Sequence, residues 1–290
     1  MKINIPPRHL MLFILPFSLV SCKHKIKENQ DSIYSRHLQK HVQLTIISTP
    51  VPNDKNDFNL LLLNDGQDIG KLMVKETIDS LYKKKLIEPL VVVAIHTTDR
   101  MNEYGVAGSP DYQGNGSAAT KYAAFIDDEL YPFIKKKAGV RKFHSVTIAG
   151  CSLGGLSAFD IAWDHADKID NVGVFSGSFW VRDKDASAAD YSDDKDRIML
   201  NKIRSSRKRP HLKYWFYTGD QEEKGDRDKD GITDVVDDNI DLINLIKSKN
   251  VCPPEDIFFI ESKQGMHDYT SWSHVFPEFL VWAVGTHSND

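Results

Sequence analysis

The sequence predicts an α/β fold with a mostly parallel central sheet flanked by helices, on three observations. Continuous apolar runs, "NLLLL" at 59–63 and "PLVVVAI" at 89–95, have the composition of strands covered on both faces. From His41 onward such runs alternate with segments whose apolar residues recur at helical spacing. No internal repeat or linker divides the chain, so its 290 residues make one large domain once any targeting segment is removed.

The elements follow in order. "HVQLTIIS" at 41–48 alternates polar and apolar like a half-buried edge strand. "NLLLL" is a central strand, 71–86 an amphipathic helix, and 89–95 a second central strand. Residues 118–137 make a helix that Pro132 should kink or end, because proline removes an amide donor and crowds the preceding turn. Residues 144–150 form a buried strand, 153–166 a helix, and 172–177, 212–219 and 256–262 further strands. A helix near 271–285 closes the fold.

Charge is balanced, with Lys+Arg 37 against Asp+Glu 41, and the basic residues are scattered. That argues against nucleic acid as a partner. The N-terminus is different. "MKINIPPRHLMLFILPFSLVSC" sets basic residues before an apolar run too short to span a bilayer, the pattern of a secretory signal. "LVSC" resembles the lipobox of bacterial lipoproteins, which implies cleavage before Cys22, lipid on its thiol, and a location at the cell envelope, facing the periplasm or at the outer-membrane surface. The expected organisation is a signal peptide at 1–21, a lipidated N-terminus and solvated tether at 22–40 that includes "KHKIKENQDS", and the folded α/β domain at 41–290. Cys151 and Cys252 then remain in different motifs, which predicts no disulfide framework.

The chemistry centres on "VTIAGCSLGGLSAFD" at 146–160. A G-x-S-x-G segment between strand and helix lifts its serine above the sheet on a strained turn, and Gly150 and Gly154 let strand and helix pass closely. Ser152 is the candidate nucleophile. The Leu153 amide, at the helix start, is a candidate oxyanion donor. A nucleophilic serine needs a base, and the base needs a carboxylate to orient it. His267 lies directly after the last strand, where a base belongs in the chain order Ser, acid, His; His274 falls inside the closing helix and His287 in the tail. The acid should follow the strand 212–219, where Asp220 and Glu222 are equally placed by spacing. "LLLNDGQ" supplies a turn at Gly66 that can aim the Gln67 amide inward as the second oxyanion donor.

These stations resemble the putative-esterase family of the α/β-hydrolase superfamily, which includes feruloyl and siderophore esterases, esterase D and mycolyltransferases. The resemblance spans roughly Leu60 to Trp282 and also rests on "VVVAIHTTDRMNEYG", "YAAFIDDELYPFI", "SGSFW" and "GMHDYTSW". It implies an α/β-hydrolase fold and a serine carboxylic ester hydrolase with an acyl-enzyme mechanism and no catalytic cofactor. The family's acid stands three residues after a glycine; on "YTGDQEE" that residue is Glu222, although Asp220 occupies the usual threonine position. Ester-bearing small molecules, among them siderophore esters, or acylated glycans are the expected substrates. Arg100 and Glu103 are expected as polar contacts and Trp180 as an apolar wall. An acyltransferase, or a glycan-binding protein without turnover, would use the same scaffold.

One motif stands apart. "DRDKDGITDVVDD" spaces Asp226, Asp228 and Asp230 before Gly231 and continues to Asp234 and Asp237. Alternating oxygen ligands with a glycine at the sharp turn suit calcium, and the pattern resembles thrombospondin type 3 and dockerin repeats. The expectation is a structural Ca2+ in the loop 226–238 that orders the segment beyond Glu222.

Overall fold

The structure, a computed structural model, describes residues 25–227 and 229–286. Cys22, Asp228 and His287 therefore lie outside the described residues. An eight-stranded sheet runs in the order β1-β2-β4-β3-β5-β6-β7-β8. Its strands are β1 (Lys27–Ser35), β2 (Lys40–Ser48), β3 (Asn59–Leu63), β4 (Leu90–Ile95), β5 (Val146–Cys151), β6 (Asn171–Phe175), β7 (Lys213–Gly219) and β8 (Ile257–Ser262). The β1/β2 and β2/β4 pairs are antiparallel, and from β4 to β8 all neighbours are parallel. The helices are α1 (Val74–Lys83), α2 (Arg100–Glu103), α3 (Ala119–Ala124), α4 (Tyr131–Ala138), α5 (Leu153–Asp164), α6 (Asp193–Asp196), α7 (Ile198–Ser205), α8 (Asp234–Ser248) and α9 (Tyr269–Val284). No helix among the described residues is long and apolar enough to cross a membrane.

The period-two geometry of a strand divides the core into two layers. Leu60, Leu62, Ile148, Val172 and Phe216 pack on one face with Leu156, Phe159 and Trp163 of α5. Leu61, Leu63, Ala149, Phe175 and Trp215 pack on the other with Trp272, Phe276 and Phe279 of α9. From Leu153 to Trp163, α5 is buried, as befits a helix that is apolar nearly all round.

Three expectations are corrected. Residues 27–35, read as solvated tether, form strand β1 in full register with β2, from Lys27 opposite Ser48 to Ser35 opposite Lys40. Its polar sequence KENQDSIYS is largely exposed, so no apolar period marks it. Charge pairs bind it instead to the helices beneath, Glu28 to Lys75 (2.7 Å) and Asp31 to Lys137 (2.6 Å). With β1 outside it, β2 is not the edge strand. Nor does Pro132 end its helical run. The chain passes from α3 through a π-helical segment, Phe125–Leu130, and Pro132 falls in the first turn of α4, where its missing amide is tolerated.

Candidate active site

The carboxyl ends of the parallel strands carry the candidate residues on one rim. Ser152, between β5 and α5, holds φ 55° and ψ −125°, a backbone that a residue with a side chain adopts only at a cost of about 1–3 kcal/mol. Its amide donates to Phe175 O of the next strand (2.7 Å), and its carbonyl accepts from the Gly155 and Leu156 amides. A Cβ on Gly150 would stand 2.4 Å from Gly154 O, so β5 and α5 approach as closely as they do only because residue 150 is glycine. Asn64 Nδ2 fixes the start of α5 by donating to Gly154 O (2.8 Å), and Tyr122 donates to Asn64 Oδ1.

His267 and Glu222 are brought together from the loops after β8 and β7. Nδ1 of His267 lies 2.8 Å from Glu222 Oε2, the Glu222 side chain is 1 % exposed, and His267 is 38 % exposed. The loops lie backbone against backbone: a Cβ on Gly219 would stand 2.2 Å from Gly265 O, and the Gln221 amide donates to that carbonyl. Asp220 does not face the imidazole; its Oδ1 accepts from the Gln264 amide (2.6 Å) and ties the same two loops together. Of the two carboxylates the spacing left open, the geometry pairs Glu222 with histidine. His274 is exposed and bonded to Thr270 O within α9.

Two residues that sequence reasoning missed hold the Glu222 carboxylate. Ser176 Oγ donates to Glu222 Oε1, which also accepts from the Gly219 amide (2.6 Å). Trp272 Nε1 donates to Ser176 Oγ (2.8 Å), and the indole meets the His267 ring edge to face at 5.1 Å. Ser176 repeats at the end of β6 what Ser152 does at the end of β5: φ is 52°, and its amide reaches the next strand at Tyr217 O. That serine stood in the quoted "SGSFW", flanked by glycine as Ser152 nearly is, and was the available signal.

Ser152 Oγ shares its hydrogen bond with Ser178 Oγ (3.2 Å) rather than with His267. Ligand-free active sites often form the nucleophile–base bond only when substrate arrives. Leu153 opens α5, and Gln67 lies in a short 3₁₀ turn, Gly66–Asp68. Amides at helix starts have no partner within their own helix, which suits both to an oxyanion. The sharp turn into this loop is made by Asp65, at φ 58°, rather than by Gly66. Asp65 is buried, and that burial raises its carboxyl above the usual range against the opposing pull of Arg100.

Arg100 lines a cavity of about 170 Å³ that also meets Ser152, Ser178, Tyr112 and Trp180. Its guanidinium is committed to Asp65 Oδ1 (3.0 Å) and Cys151 O (3.2 Å), so it ties the Gln67 loop to the strand that leads into Ser152. Trp180, 44 % exposed, lines the same cavity. Glu103 does not reach the cavity: it is buried, paired with Lys40, and accepts from Thr97 Oγ1 (2.7 Å), which clamps the β1/β2 hairpin to α2.

In the acidic loop the described carboxylates accept backbone amides. Among the described residues no group of three or more His, Cys, Asp or Glu is placed to hold a metal. Asp226 accepts from the Asp230 and Gly231 amides, Asp230 from the Ile232 amide, and Asp234 from the Arg227 amide (2.8 Å). Asp237 sits in the first turn of α8. Arg227 supplies positive charge here, with Nη2 on the buried Asp238 (2.6 Å).

The profile of the family described as "Putative esterase" matches residues 36–283. Comparison with curated protein sequences returns no match. Among solved structures, the fold is similar to the enterobactin esterase FES from Shigella flexneri (TM-score 0.68, 20 % identity, 88 % of this chain and 59 % of that one). It is also similar to a ferulic acid esterase (TM-score 0.64, 18 % identity, 90 % and 98 % covered). A third is the siderophore hydrolase EstB from Aspergillus nidulans (TM-score 0.65, 15 % identity, 87 % and 93 % covered). The chain thus spans about three fifths of the enterobactin esterase's length. At these identities the likenesses establish the α/β-hydrolase architecture, and the profile match over most of the chain establishes that the protein belongs to the putative esterase family.

Proposed function

We propose that the protein is a serine carboxylic ester hydrolase in which Ser152 attacks the ester carbonyl, His267 takes its proton, and Glu222 holds the imidazole. The observation that carries this reading is the 2.8 Å pair of His267 Nδ1 with a buried Glu222 on the same rim as a strained Ser152. A carboxylate on Nδ1 fixes the tautomer that leaves Nε2 free as base and stabilises the imidazolium that forms. The Leu153 and Gln67 amides receive the developing oxyanion, the alcohol leaves with the proton from His267, and water releases the acyl group. No step requires a metal.

The substrate is an ester-bearing small molecule or an acylated glycan, the classes to which enterobactin and ferulic acid esters point. On the N-terminal sequence alone, we further propose that Cys22 carries lipid and holds the domain at the cell envelope; metabolic labelling with a fatty-acid analogue should mark the protein and fail to mark Cys22→Ser. For the activity, hydrolysis of p-nitrophenyl acetate should fall by about 10³-fold or more in Ser152→Ala. Retained activity in that variant would refute the assignment.

A further inference from the structure

The turn after β6, Ser176-Gly177-Ser178, touches both the acid and the nucleophile. Ser176 Oγ donates to Glu222 Oε1, and Ser178 Oγ lies 3.2 Å from Ser152 Oγ. The Ser178 amide also donates to the Ser152 carbonyl (3.3 Å), so one residue holds the other by backbone and side chain together. The core fixes this turn. Phe179 beside it is fully buried, edge to face with Phe159 at 5.5 Å and with Phe216 at 6.3 Å. Gly177 O accepts from the Phe179 amide and from Nδ2 of the buried Asn239 on α8 (3.3 Å). A hydroxyl anchored this way gives up little further freedom when it makes its bond.

Either oxygen of the Ser152–Ser178 pair can be the donor, and burial decides between them. A hydroxyl has one proton and two lone pairs. Ser178 is buried, and among the described residues its hydroxyl meets only Ser152. Were Ser152 the donor, the Ser178 proton would be buried without an acceptor, which is costly. With Ser178 as donor that proton is paired, and the half-buried Ser152 keeps its own for His267. The sheet order sets β6 on one side of β5 and β3, which leads into the Gln67 loop, on the other. Ser178 and the Gln67 amide therefore come from opposite sides of the strand that carries Ser152.

We propose that Ser178 is a further catalytic residue, whose hydroxyl donates to Ser152 Oγ and steadies that oxygen while its proton is on His267. The role rests on the esterase reading. In acylation the bond from Oγ to the acyl carbon forms, and the Oγ proton passes through His267 to the departing alcohol. In deacylation water bonds the acyl carbon and gives a proton to His267, which returns it to Oγ as the bond from that carbon to Oγ breaks. Ser178 keeps its own proton throughout. A hydrogen bond strengthens as its acceptor gains negative charge, so both half-reactions benefit.

The test compares wild type, Ser178→Ala and Ser178→Thr in hydrolysis of p-nitrophenyl acetate, in the rate of labelling by a fluorophosphonate, and in urea unfolding. In Ser178→Ala, kcat and the labelling rate should fall about tenfold, with KM and the unfolding midpoint little changed. Ser178→Thr, which restores a hydroxyl, should stay within a few-fold of wild type. Unchanged or faster rates in Ser178→Ala would overturn the proposal. So would a rate loss accompanied by raised KM or lost stability, which marks a packing residue, or a stable Ser178→Thr as slow as Ser178→Ala. An active wild type without the expected contrast removes this role alone; a wild type that neither hydrolyses esters nor takes the label refutes the esterase reading and this role with it.

Discussion

Trp272 Nε1 donates to Ser176 Oγ across 2.8 Å, and the same hydroxyl donates to Glu222. The indole of α9 thereby reaches both members of the Glu222–His267 pair, one through Ser176 and the other through its edge-to-face contact with His267. Both Ser176 and Trp272 are buried, so the bridge is shielded from competing water.

Ser176→Ala strips Glu222 of a donor and leaves the Trp272 N–H without its acceptor. The expected loss of stability is about 1–3 kcal/mol, read from urea unfolding. A fall in kcat of about tenfold should accompany it, with KM little changed, because the loss acts on the orientation of the imidazole.

Glu222→Gln should lower kcat by about 10⁴-fold, since an amide stabilises neither the required tautomer nor the imidazolium. Asp220→Asn removes charge from a carboxylate that braces the Gln264 amide, and its effect should stay within a few-fold. Steady-state kinetics of the two variants on one ester decide the identity of the acid; the reverse ranking would reassign it to Asp220.

Gly150→Ala places a methyl group 2.4 Å from the Gly154 carbonyl, against backbone that cannot rotate away. Destabilisation of about 1–3 kcal/mol or more is expected, together with loss of activity as the elbow shifts. Thermal unfolding and ester hydrolysis measure the two effects.

Burial pushes the Cys151 thiol well above its usual range, and that of Cys252 to about 11. A raised thiol pKa leaves less thiolate at any pH below it, and thiolate is the reactive form. At pH 8 iodoacetamide should leave Cys151 unmodified and label Cys252 slowly, with both labelled rapidly in denaturant; peptide mapping distinguishes them. Fast labelling of Cys151 in the folded protein would contradict its position beneath the elbow.

Sequence reasoning reached the parallel sheet because β3, β4 and β5 are apolar on both faces, and it reached Ser152 because the elbow has a fixed local pattern. It failed at β1, whose register comes from pairing with β2 and from charges on distant helices rather than from its own period. Glu222 and Asp220 could not be separated by spacing; their difference arises where two loops from neighbouring strands press together at Gly219 and Gly265. Ser176 escaped notice because its role is defined by Trp272, 96 residues away along the chain. Glu103 misled because a carboxylate's role depends on which cation the fold delivers. Here the fold delivers Lys40.

The central claim, that Ser152 is a nucleophile activated through His267 and Glu222, is tested most directly by labelling with a fluorophosphonate followed by intact-mass and peptide analysis. One adduct per chain is expected, located on Ser152, absent in Ser152→Ala and formed far more slowly in Glu222→Gln. An adduct on another residue, or labelling of Ser152→Ala at the wild-type rate, would contradict the account.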